Sequence, residues 1–141
     1  MQTKLGYLSE VPTTAGVPKG WLKYEQQLGK HEASLGKIVD LTQFGVNHVT
    51  LDPGSISALR HWHEGEDEFV YVLSGSLTLV DNNGEHLLEE ASFAGFPAGS
   101  ANAHHLVNKS QVVATYLAIG SRRPGKDVCH YPDDDIGPIQ R

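Results

Sequence analysis

The stretch His61-Trp62-His63-Glu64-Gly65-Glu66-Asp67-Glu68 decides the fold, because it reads as two short strands joined by an acidic turn. Side chains of an extended chain alternate between faces, so His61 and His63 project together and Trp62 projects the other way. Beyond the turn, Phe69-Val70-Tyr71-Val72-Leu73 is apolar at both parities, as a strand covered on both sides should be. Val70 and Val72 share the parity of Glu68. Two imidazoles and a carboxylate converging from one sheet are donors that a zinc, iron, nickel or manganese ion accepts. A further donor is available in the segment from Pro97 to Asn108, which holds Asn102, His104 and His105.

Outward from this stretch, residues 44–120 show short alternating runs with turn signals about every 8 to 12 residues, the pattern of an all-β sandwich or barrel. Within it, Ser76 to Val80 and Glu85 to Leu88 flank Asp81-Asn82-Asn83-Gly84, where Asn83 and Gly84 tolerate the positive φ of a tight hairpin. Residues 1–43 are punctuated by Pro12, Gly16, Pro18 and Gly20, with a short helix expected over Leu22 to Leu28, and read as an arm too short to fold alone. Residues 121–141 carry prolines and charges without periodicity and are expected to pack as a strap or stay loose. Asp133-Asp134-Asp135 lacks the spaced ligands and turn glycine of a calcium loop, so it reads as a solvated acidic turn.

The run Pro53-Gly54, His61-x-His63, Glu68, Gly75 resembles the first motif of the cupin superfamily, and Pro97-x-Gly99 followed by His104-x-x-x-Asn108 resembles the second. Two motifs in the right order are far more specific than either alone. The resemblance implies an all-β double-stranded β-helix, the jelly-roll or cupin barrel. The barrel would span 44–120, with an irregular N-terminal arm at 1–43 and a C-terminal tail at 121–141, in a single domain. It also implies one divalent transition metal (Fe, Mn, Ni or Zn) in the barrel mouth, held by three His and one Glu. Residue by residue these are His61, His63, Glu68 and His104.

Three positions depart from the family pattern. Six residues rather than five separate Gly54 from His61, Ala91 stands where a glycine is usual six places before Pro97, and Asn102 takes the usual place of the second-motif histidine. His104 keeps the His-x-x-x-Asn spacing and shares a face with Leu106 and Asn108, which sends His105 to the opposite face. Asp67 is the competing acid. Glu68 is preferred for its interval to Gly75 and its parity with Val70 and Val72.

A strand histidine taken alone is more often a core residue bonded to backbone, and Glu68 could belong to the solvated turn. Burying a carboxylate unpaired against apolar strand residues, however, costs several kcal/mol unless a cation neutralises it. His31, His86 and His130 lack such company and read as surface or supporting residues. His48 shares the parity of Phe44 and Val46 and is expected to face the pocket, while Asn108 is expected to support the barrel rather than bind metal.

The chain has 141 residues, enough for one domain with a real core, and a net charge of −6 without a Lys/Arg cluster, which excludes a nucleic-acid surface. Its single cysteine, Cys129, excludes an internal disulfide and reads as a bystander. Neither a signal-peptide pattern nor a run of 18 apolar residues occurs, so no membrane is expected and the location is read as cytoplasmic.

Proteins of similar motif include dioxygenases, decarboxylases, isomerases, lyases and pure binding proteins, and the fold does not choose among them. The resemblance therefore points to an enzyme acting on a small oxygen-rich molecule chelated to the metal. A module that binds or senses metal and ligand without turnover is the alternative. The expected wall is Leu59, Val70, Val72, Phe93 or Phe96, and Leu106, with Asn102, His48 and Tyr116 as polar contacts. Arg60 points away from His61 by parity, which weakens the case for an anionic substrate. Trp62, Phe69, Tyr71 and Leu73 fall on the outer face and need a cover, so a homodimer is expected, with the arm contributing.

Overall fold

The alternating runs become strands in a computed structural model that describes residues 2–15, 17 and 20–141. The strands are β1 (Thr13–Ala15), β2 (Lys30–Ser34), β3 (Phe44–Leu51), β4 (Trp62–His63), β5 (Glu68–Ser74) and β6 (Leu77–Asp81). They continue with β7 (Gly84–Leu88), β8 (Phe93–Phe96), β9 (His105–Val107), β10 (Ala114–Ser121), β11 (Val128–Tyr131) and β12 (Ile136–Gln140). Among the described residues helix is confined to α1 (Leu35–Ile38) and two 3-10 turns, Leu8–Glu10 and Glu25–Gly29, the second taking the place of the helix expected from Leu22. No helix is long and apolar enough to cross a membrane among the described residues.

One sheet has the order β1-β2-β3-β10-β5-β8. Opposite it lie β12-β11-β4 and β7-β6-β9, joined edge to edge by the antiparallel bridges His61↔His104 and Ile56↔Val107. The core forms between these layers: Val49, Leu51, Val70, Val72, Ala114 and Tyr116 from the first pack on Leu77, Leu79, Leu88 and Leu106 from the second. Burying each large side chain stabilises the fold by roughly 1.5–3 kcal/mol, so this apolar belt closes the barrel below the histidines.

The hairpin from β6 to β7 pairs Asp81 with Gly84 across Asn82-Asn83. Positive φ falls on Gly84 alone, at 115°, while Asp81 Oδ1 accepts the Asn83 N–H at 2.8 Å and holds the turn. Gly75 ends β5 at φ 75°, where a Cβ would lie 3.0 Å from Ala114 Cα, so both the angle and the space demand glycine. Ala91 adopts φ 67° in the place where the motif usually has glycine, and its N–H bonds to the Val72 carbonyl at 2.9 Å.

Among the described residues four strands lie outside 44–120. β1 and β2 extend the first sheet from β3, and β11 and β12 form a hairpin that pairs with β4. Sequence alternation does not mark them for physical reasons. β2 (Lys-His-Glu-Ala-Ser) buries only Ala33, and β12 is an edge strand, where a proline is tolerated because one side of the backbone needs no partner.

His48 corrects an expectation. Gly45, Val49 and Leu51 are the buried positions of β3, so the inward parity is odd, and Asn47 rather than His48 lines the cavity. Phe44 and Val46 look apolar enough to claim the core, yet Phe44 is exposed on the outer face. Trp62 is half-buried, its indole stacked on His130 of β11 with ring centroids 4.2 Å apart.

Candidate metal centre

Each of the four expected donors is delivered by a different local device. His61 and His104 are cross-strand neighbours, fixed by reciprocal backbone bonds of 3.2 and 3.0 Å. His63 sits on β4, held on one side by β11 and on the other by the Gly99 N–H, which donates to the His63 carbonyl at 2.9 Å. Glu68 opens β5 in the facing sheet and reaches across the mouth.

The side chains meet at one atom. Glu68 Oε1 lies 3.5 Å from His61 Nε2, 3.2 Å from His63 Nε2 and 3.0 Å from His104 Nε2. The opposite ring nitrogens are all occupied: Nδ1 of His61 is 2.7 Å from the Leu59 carbonyl, that of His104 is 3.0 Å from the Asn102 carbonyl, and that of His63 is 2.6 Å from Asp127. Carbonyl and carboxylate oxygens accept, so each Nδ1 donates and each neutral imidazole presents an Nε2 lone pair to the centre. Three lone pairs and a carboxylate oxygen facing one another repel. The arrangement calls for a cation among them, either a shared proton or a metal ion.

The donor set fits a metal. Ligands about 2.0–2.2 Å from a divalent ion stand roughly 3.0–3.5 Å apart, the spacing seen around Glu68. Phe96 stacks on His104 with ring centroids 3.6 Å apart and 6° between planes, which fixes the ring that the carbonyl orients. Burial pushes the Glu68 carboxyl up, but protons shared with His104 and His61, and the positive charge they bring to His61 and His63, outweigh it and hold the group well below the usual carboxylate range; a metal ion would take the place of those protons. Glu68 is therefore an anion ready to ligate.

Asp67 does not compete, because its Oδ1 accepts the Ala98 N–H at 2.8 Å. His105 lies on the far side of its strand, with Nδ1 2.8 Å from the Ala58 carbonyl. Asn108 is fully buried and bonds the Leu51 and Val112 carbonyls, away from the donors. Asn102 contributes its backbone to His104 and its side chain to Asn82 and Asp81. Tyr116 is buried in the core. Of the two candidate phenylalanines Phe96 faces in and Phe93 is exposed, while Arg60 turns away to a two-point pair with Asp133.

The tail supplies what the sequence reading missed. Asp127, buried, clamps His63 and also accepts the Gly65 N–H at 2.9 Å. Cys129 lies opposite His63 in the β4–β11 register, and its sulfur comes within 4.8 Å of ligating atoms of His61 and His63. Burial pushes its thiol up, which keeps it protonated, and Tyr131 lies two places further along β11. The Tyr131 ring lies 5.7 Å from His61 and meets Trp21 of the N-terminal segment edge-on at 5.4 Å. Asp127-x-Cys129-x-Tyr131 is a strict period-2 pattern, the signal that would have shown these residues sharing a face.

A cavity of about 390 Å³ opens beside the donors, lined among others by Asn47, His63, Glu68, Arg122 and Arg141. The barrel and its histidine-lined mouth define the class. Residues 47–120 match the family described as Cupin domain, and the chain belongs to that family. It is 40% identical to a sugar phosphate isomerase of the cupin superfamily from Silicibacter pomeroyi, over 92% of this chain and 81% of that one, with a TM-score of 0.84. A protein from Acidithiobacillus ferrooxidans, provisionally described as a sugar phosphate isomerase, is 36% identical over 74% of this chain and 65% of its own, with a TM-score of 0.70. The polyketide cyclase RemF from Streptomyces resistomycificus is 20% identical over 87% of this chain and 82% of its own, with a TM-score of 0.70, a likeness of fold alone. No curated protein matches the sequence significantly.

Proposed function

We propose that this cupin is a mononuclear metal-dependent isomerase of a small, oxygen-rich substrate, with His61, His63, Glu68 and His104 as the ligands. The observation that carries the metal is the convergence of three Nε2 lone pairs on one carboxylate oxygen while every Nδ1 is engaged. The descriptions of the Silicibacter and Acidithiobacillus proteins favour a sugar phosphate as substrate.

A divalent ion in such a site supplies Lewis acidity and open positions for substrate oxygens. The chain's own residues do the rest. Leu59, Asn102 and Asp127 fix the imidazole tautomers, Phe96 fixes one ring plane, and Tyr131, met edge-on by Trp21, lies beside the His61 ring. Tyr131 and Cys129 offer hydrogen-bonding groups beside the imidazoles that the ligands do not provide. We also propose a homodimer formed through the outer face of the first sheet, where Phe69 stacks on the 66%-exposed Phe93.

The test pairs metal analysis with turnover. Protein purified without a chelating column should carry about one divalent ion per chain and interconvert the aldose and ketose forms of a sugar phosphate, and His63→Ala should lose both. Metal retained in His63→Ala would refute the ligand set. Metal and ligand bound without turnover would make the protein a binding module.

A further inference from the structure

The inward row that carries Glu68 is bare on the two neighbouring strands. Glu68 pairs with Gly120 of β10, and Gly120 with Gly45 of β3, so the row reads Glu, Gly, Gly across the mouth. One row deeper it reads Val70, Ala118, Asn47. The space left at Gly45 is taken by a cation. A Cβ built there would lie 2.7 Å from Arg122 Nη2 and 3.2 Å from its Nε, so the guanidinium occupies the volume of the missing side chain.

Arg122 is anchored through its backbone, whose N–H donates to the Gln43 carbonyl at 2.9 Å, and the residue is exposed. Among the described residues its guanidinium has no carboxylate partner, in contrast to Arg60, which is paired with Asp133. Arg141 lines the same cavity. The acids at the rim are partly engaged: Glu66 Oε2 accepts the Arg123 N–H and Asp67 Oδ1 the Ala98 N–H, both at 2.8 Å. With a divalent ion at Glu68, the ion and the Arg122 guanidinium match the charge of Glu66, Asp67 and Glu68.

We propose that Arg122, seated on Gly45, is the anion-binding residue of this cavity, and that its ligand is a phosphomonoester whose far end carries the oxygens offered to the metal. The inference rests on the metal-centre reading above. Two strand spacings separate β3 from β5, on the order of 10 Å, a span suited to a substrate several carbons long. The planar fork of an arginine matches phosphate oxygens, and a second guanidinium favours a dianion over a carboxylate. Gly45 acts as a specificity determinant by leaving room for the fork.

Calorimetry with inorganic phosphate, ribose 5-phosphate, ribose and acetate, on metal-loaded wild type, Arg122→Gln and Gly45→Ala, tests this. Wild type should bind the two phosphates and prefer ribose 5-phosphate to ribose. Arg122→Gln should lose phosphate affinity by on the order of ten- to a hundredfold, with metal content and melting temperature unchanged. Gly45→Ala should also weaken phosphate severalfold although the arginine remains, because its Cβ displaces only the flexible end of Arg122. Phosphate affinity unchanged in Arg122→Gln, or acetate bound as tightly as phosphate, would overturn the proposal. A wild type that holds no metal, yet binds phosphate and loses it in Arg122→Gln, would uphold the anion site and overturn the metal centre instead.

Discussion

His63 and Asp127 make the tightest contact around the proposed ligands, 2.6 Å between two side chains almost wholly removed from water. The carboxylate holds the proton on Nδ1 and so aims the Nε2 lone pair, and burial keeps that orientation from relaxing. Asp127→Asn keeps one acceptor oxygen but removes the charge. Metal affinity should fall by roughly ten- to a hundredfold, measured by competition with a chromophoric chelator, and an unchanged affinity would contradict the role given to Asp127. Ala91 offers a test of a different kind. A left-handed φ costs a residue bearing a Cβ roughly 1–2 kcal/mol, so Ala91→Gly should raise unfolding free energy by about 1 kcal/mol in a denaturant titration. A loss of stability would show that the Cβ packs better than its backbone strain costs.

The elements differ in how far the sequence discloses them. β4 and β5 were legible because a His-x-His alternation and an apolar run lie within eight residues of each other, and the β6–β7 hairpin because its turn chemistry is local. The partner of β4 was not, because β11 follows a polar, proline-bearing segment and gains its strand character from pairing with β4, a contact between residues more than sixty positions apart. The ligating side of the centre could thus be read from spacing, while Asp127, Cys129 and Tyr131 required the register. The acidic turn after β11 is itself structural, since Asp133 takes both Nε and Nη2 of Arg60 at 2.7 and 2.8 Å, and Asp134 pairs with Lys23. That bond from Arg60 holds the Asp133 carboxyl below its ordinary value of 3.8. A carboxyl depressed in the folded state stabilises at pH above its unfolded value, and the contribution is lost as pH falls through the folded value. Thermal stability should therefore decline on acidification below about pH 4, and Asp133→Asn should flatten that decline. An identical acid limb in wild type and variant would remove this pair from the account.

At the scale of the molecule, the two layers do different work. The second layer carries three histidines and is closed on its own outer side by Trp62 on His130, while the first carries Glu68 inside and leaves Phe44, Phe69 and Phe93 at least 36% exposed outside. An apolar strip of this kind is costly to leave in water, and a two-fold pairing of first sheets covers it. Light scattering at micromolar concentration should give twice the chain mass of 15.3 kDa, and Phe93→Ser should shift it toward the monomer. A wild type that scatters as a monomer would refute the pairing. The central claim, a metal held by His61, His63, Glu68 and His104, has a structural rival within the same mouth, the trio His61, His63 and Cys129. X-ray absorption at the edge of the bound metal separates them most directly. The account predicts a shell of nitrogen and oxygen only, at about 2.0–2.2 Å and including three imidazoles, whereas a sulfur scatterer at about 2.3 Å would contradict it.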